Sequence, residues 1–129
     1  MPAEGIPIIQ NVKILVVDDD PGILALMVNV LTYCVNREVL SFENGQLAWQ
    51  YLKEGGDADI IFSDVDMPGM TGFELMAKVK EQTPEKIFIL MSGVTENEQK
   101  AELAGADAFL GKPFAINDLF NIVQCYVVD

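Results

Sequence analysis

Asp18, Asp19 and Asp64, a hydroxyl at Ser92 and an ammonium at Lys112 are the groups in this chain whose types can do chemistry together. Each stands where an apolar run stops. Unit charges about 4 Å apart repel by roughly 4 kcal/mol at an effective dielectric of 20, so carboxylates gathered in one crevice either take up a proton or bind a cation. A hard divalent ion with oxygen ligands, and room left for water and phosphate oxygens, suits Mg2+ better than Ca2+. Such a cation lets Asp64 meet a phosphoryl group as a nucleophile. Lys112, from the opposite side, neutralises a second phosphoryl oxygen, and Ser92 donates a hydrogen bond to a third. Phosphoryl transfer requires this kind of clamp.

The elements that must hold these groups are legible in the pattern. Lys13 to Val17, Ile60 to Asp64 and Ile87 to Met91 are short continuous apolar runs, as in strands buried on both faces. Glu38 to Phe42 is less apolar and suits an edge, and Ala108 to Leu110 makes a fifth short strand. Asp20 as N-cap with Pro21 behind it opens a helix in which Ile23, Leu26, Met27, Val30 and Leu31 recur at helical spacing to about Cys34. Asn44-Gly45 opens a second helix through Leu47, Ala48, Tyr51 and Leu52. Further helices are expected over Thr71 to Lys80, Glu96 to Ala104 with Gly105 closing it, and Ile116 to Val128.

Strand and helix alternate five times, which predicts an α/β fold: a doubly wound five-stranded parallel sheet with right-handed crossovers. In the flavodoxin-like strand order 2-1-3-4-5, strands one and three flank the switch point, and ligands sit outside the carboxyl ends of the strands. No repeat or linker divides the chain, so a single domain over residues 1–129 with a core at about 12–126 is expected.

Composition narrows the function. The net charge of −12 argues against nucleic acid and anionic membrane surfaces as partners. Residues 1–10 lack the basic start of a signal peptide, and no apolar run approaches a bilayer's thickness; a cytoplasmic protein is expected. Cys34 and Cys125 lack metal-type spacing and read as small buried hydrophobes. With no histidine in the chain, any phosphohistidine must come from another protein. Met27, Met67, Met70, Met76 and Met91 read as core or loop filler, and Trp49 as structural.

Five motifs now identify a family. Ile14-Leu15-Val16-Val17-Asp18-Asp19-Asp20-Pro21, Asp64-Val65-Asp66-Met67-Pro68-Gly69-Met70-Thr71-Gly72, Met91-Ser92-Gly93, Gly105-Ala106-Asp107-Ala108-Phe109 and Gly111-Lys112-Pro113-Phe114 stand in order and at matching spacing. Over about Val12 to Tyr126 the chain resembles the receiver domain of two-component response regulators, chemotaxis regulators among them. The resemblance implies a regulatory phosphoacceptor rather than an enzyme. Asp64 would take its phosphoryl group from a phosphohistidine of a sensor histidine kinase or phosphotransfer protein. Asp19 would ligate Mg2+ directly, Asp18 through water, and Asp66 by its backbone carbonyl. Lys112 would pair with the phosphoryl group, with a cis bond before the following proline. Ser92 would swing toward the phosphate and Phe109 inward behind it, switching the face built from the fourth helix, fifth strand and fifth helix.

Phe109 stands where the family commonly has tyrosine, so a hydroxyl contact of the outward rotamer is lost. Asp66, two residues past the acceptor, is expected to bias water near the acyl phosphate. The last helix carries no Lys or Arg, against a dimer held by cross-subunit ion pairs on that face. Ile116, Leu119, Phe120, Val123 and Val127 can face the sheet, while Ile122, Cys125 and Val128 extend the apolar surface toward a homodimer, partner or output-domain contact. The alternative is a phosphatase similar to the haloacid dehalogenases, with Asp64 as nucleophile. Its acidic pair, however, should follow the lysine rather than precede it. An EF-hand fails at Pro68 and Leu75, and a flavin site fails because Asp18 to Asp20 would repel the phosphate.

Overall fold

The computed structural model describes residues 12–35 and 38–126. Its elements are β1 (Lys13–Val17), α1 (Pro21–Val35), β2 (Glu38–Phe42), α2 (Gly45–Lys53), β3 (Ile60–Asp64), α3 (Gly72–Gln82), β4 (Ile87–Ser92), α4 (Glu96–Ala104), β5 (Ala108–Gly111) and α5 (Ile116–Gln124). All strand pairs are parallel and the order is β2-β1-β3-β4-β5, as the alternation of elements predicts.

Both faces of the sheet are covered, which is why its central strands are continuously apolar rather than alternating. Successive side chains still alternate between faces. Ile14, Val16, Ile60, Phe62, Ile89 and Met91 meet Met27 and Leu31 of α1 and Leu119 and Val123 of α5. Leu15, Val17, Ile61, Phe88 and Leu90 meet Ala48 of α2, Leu75, Met76 and Val79 of α3 and Ala101 of α4. Met27, Met67, Met76 and Met91 are buried, and Met70 and Trp49 pack against the second cluster.

The first three helices are pinned by a side-chain cap where a strand runs out. Asp20 Oδ1 accepts from the backbone N–H of Gly22 (2.9 Å) and of Ile23 (3.3 Å). Asn44 Oδ1 accepts from Leu47 N–H at 2.8 Å. Thr71 and Glu74 cap α3 reciprocally, at 3.2 and 3.0 Å. Gly105, at φ +95°, closes α4 in the left-handed conformation.

Three expectations are corrected. Ile116 is 53% exposed, and the apolar contact at that end of α5 is made by Phe114. Cys125 is exposed. It lies two residues, or about 200° of helix rotation, past the inward-facing Val123. Ile122, expected to extend the outer apolar surface, packs against the core instead. The expectations for the side chain of Cys34, and for Val127 and Val128, lie outside the described residues, as does the N-terminal decade.

Candidate functional site

Register assembles the site. Val17 is level with Ser63, which sets Asp18 level with Asp64. Met91 is level with Asp64 and Gly111 with Ser92, so Ser92 and Lys112 stand successive steps further along the same edge. The ladder continues into the loops: Val65 N–H donates to Met91 O at 2.9 Å, and Lys112 N–H donates to Ser92 O at 2.9 Å.

Side chains then converge. One carboxylate oxygen each from Asp18, Asp19 and Asp64 lies within 4.8 Å of the others. Asp18 is fully buried and Asp64 nearly so, whereas Asp19 is exposed. Lys112 Nζ reaches directly between two of them, 2.7 Å from Asp18 Oδ2 and 3.1 Å from Asp64 Oδ1. The expectation of a lysine waiting on the opposite side is thereby refined: the ammonium spans the two buried acids. Asp18 spends its other oxygen on the backbone N–H of Asp20, at 2.9 Å. The peptide bond from Lys112 to Pro113 is cis.

Burial, then the charge of Asp18, push the pKa of Asp64 up to about 6, against the hydrogen bond and charge of Lys112. Burial disfavours the charge on Lys112, but its bonds to Asp18 and Asp64 outweigh this and hold its pKa above the usual lysine value. The site thus combines both remedies for crowded carboxylates: raised proton affinity and a nearby cation. The three carboxylates offer only hard oxygen donors, with one of them open to solvent, which fits a Mg2+ ion that keeps several waters.

Gly72 shapes the floor. Its N–H donates to Val65 O at 2.9 Å, and a Cβ there would collide with the Asp64 carbonyl oxygen. Asp66 points its side chain to solvent, outside the carboxylate cluster. Ser92 is buried, and its Oγ accepts from Val94 N–H at 3.0 Å and from Asn97 Nδ2 at 2.9 Å. In this state it is therefore engaged as an acceptor toward α4, not as a donor toward Asp64. Phe109 is half-buried and lines a cavity of about 190 Å3 with Ala101, Ala106 and Ala108 between α4 and β5. Asn97 escaped sequence reasoning because α4 is polar all round and no periodic face marks its one buried amide.

Residues 14–124 match the response regulator receiver domain. The chain belongs to that family. This receiver domain is 37% identical over 108 residues to a chemotaxis protein CheY homolog of Campylobacter jejuni, covering 79% of this chain and 82% of the relative. It is 35% identical over 115 residues to the transcriptional regulatory protein TcrA of Mycobacterium tuberculosis, covering 87% of this chain but 44% of that protein. Among solved structures, TrrA of Thermotoga maritima, crystallised with Mg2+ and BeF, superposes with a TM-score of 0.80 at 27% identity, over 88% of this chain and 96% of that one. The chemotaxis protein CheY4 of Vibrio cholerae superposes with a TM-score of 0.77 at 30% identity, over 88% and 96% respectively. Receiver domains are regulatory parts of two-component systems, and the dehalogenase-like phosphatase finds no support in these matches. No helix among the described residues is long and apolar enough to cross a membrane.

Proposed function

We propose that this receiver domain, a single domain with its core at about 12–126, is a phosphoacceptor whose phosphoryl group is carried by Asp64. The observation that carries the reading is the ammonium of Lys112 held within hydrogen-bond distance of both Asp18 and Asp64, beside three converging carboxylates. A carboxylate oxygen of Asp64 attacks the phosphorus of a phosphohistidine on a sensor kinase or phosphotransfer protein. The P–N bond breaks as the P–O bond forms, and the imidazole leaves neutral, taking the bonding electron pair and keeping the proton already on its other ring nitrogen.

Asp18, Asp19, Asp64 and the Asp66 carbonyl would hold Mg2+, which when bound neutralises charge between the carboxylate and the incoming phosphoryl group. Lys112 shifts its ammonium from the Asp64 carboxylate to a phosphoryl oxygen. Ser92 turns to donate to another, and Phe109 rotates toward the cavity behind it, changing the face made of α4, β5 and α5. The cytoplasm is the compartment such a partner implies. Among the described residues, exposed Ile116 and Cys125 are the side chains of this end of the chain offered to a second copy or an output domain.

The test is incubation with acetyl phosphate, with and without Mg2+, beside Asp64→Asn. Label that depends on metal, resists acid, is lost in base and vanishes in Asp64→Asn is the expected result. Continued turnover of assorted phosphate esters would favour an enzyme instead. In the same assay Asp66→Ala lengthens the lifetime of the acyl phosphate by about fivefold, the factor of one ordinary hydrogen bond to water. An unchanged lifetime removes that role from Asp66.

A further inference from the structure

Asn97 is buried in the first turn of α4 while its neighbours Glu96, Glu98, Gln99 and Lys100 are exposed; the residue itself is 7% exposed. A buried amide needs partners, and the Nδ2 of Asn97 spends a donor on Ser92 Oγ at 2.9 Å. Val94 N–H donates to the same oxygen at 3.0 Å. Both acceptor positions of the hydroxyl are therefore filled from the α4 side. Among the described residues no hydrogen bond joins Ser92 Oγ to Asp18, Asp64 or Lys112, although Lys112 bonds both acids. Thr95, which precedes α4, makes no side-chain cap bond. The Asn97–Ser92 contact is thus the side-chain tie between the first turn of α4 and the end of β4.

We propose that Asn97 is a positioning residue for the phosphoacceptor site: its amide holds the Ser92 hydroxyl toward α4, and a phosphoryl group on Asp64 must draw Ser92 out of that bond. Moving Ser92 leaves a buried amide without its partner, so the first turn of α4 rearranges with it. This inference rests on the phosphoacceptor reading and deepens it. It makes Asn97, rather than Ser92 alone, the link between the acyl phosphate and α4.

Beryllofluoride with Mg2+ serves as the phosphoryl probe, titrated into 15N-labelled protein and followed by backbone and side-chain amide signals. In the wild type, the Val94 backbone and Asn97 side-chain signals shift together as the probe saturates. Asn97→Ala binds the probe about fivefold more tightly, because its resting state has lost one hydrogen bond of ordinary net strength. In a Ser92→Ala background the same substitution changes nothing. A purely structural role for Asn97 would lower the melting temperature and leave the probe's Kd unmoved, and that outcome overturns the proposal. So do Asn97 side-chain signals that stay fixed in the saturated wild type, a measurement that holds even if the variant fails to fold. Should the wild type bind no more probe than Asp64→Asn, the phosphoacceptor reading itself falls, and this inference falls with it.

Discussion

At Asp64, burial and the negative charge of Asp18 raise proton affinity while Lys112 lowers it, and the balance rests at about 6 against an ordinary value of 3.8. A carboxyl whose folded pKa lies above its unfolded one binds more protons in the native state between those values. Its contribution to stability is present below pH 4 and is lost as pH rises through 6. Metal-free wild type should therefore lose about 2–3 kcal/mol between pH 4 and pH 7 relative to Asp64→Asn, at 1.36 kcal/mol per pKa unit. Urea denaturation of the two proteins across that range measures it, and parallel curves would refute the electrostatic account. The strand-end acids and the lysine were legible as a set, because each interrupts an apolar run. Which acid is buried and which is exposed was not: Asp18 and Asp19 are adjacent in sequence and identical in type.

Among the elements, the turn from β3 into α3 follows Asp64, the proposed acceptor, and two residues there do different work. Thr71 caps α3 through Glu74 N–H. Its replacement by alanine should cost about 1 kcal/mol and leave metal binding unchanged. Gly72 lies against the Asp64 carbonyl and Leu90, with no space for a Cβ. Gly72→Ala should cost about 1–3 kcal/mol by overpacking and also weaken Mg2+ binding, since the backbone it displaces is that of Asp64 itself. Thermal melts with and without metal separate the two effects. The openings at Asp20-Pro21 and Asn44-Gly45 were visible and helix starts fell where expected, whereas the reciprocal Thr71–Glu74 cap emerged only from the structure. α5 was read on to Val128 because its apolar pattern continues, whereas it ends at Gln124 with Cys125 and Tyr126 in a turn, and the rest of that reading lies outside the described residues.

For the molecule as a whole, a charge of −12 favours cations over anions, and among the described residues three carboxylates converge at one place. A cation bound only by the folded state must stabilise it. Mg2+ at ten times its dissociation constant should add about 1.4 kcal/mol to the unfolding free energy. Asp19→Asn should remove most of that increment, and chemical denaturation at pH 7.5 decides it; an undiminished increment would place the ion elsewhere. Strand identity, helix starts, the family and the residues standing at strand ends were determined by the sequence, because apolar periodicity and capping are local over a few residues. Only the tertiary structure decided that Lys112 spans Asp18 and Asp64, that Asn97 holds Ser92, and that Ile116 and Cys125 face outward. Lys112 and Asp18 lie 94 residues apart, and their meeting depends on the register of every strand between them. No local pattern carries that information.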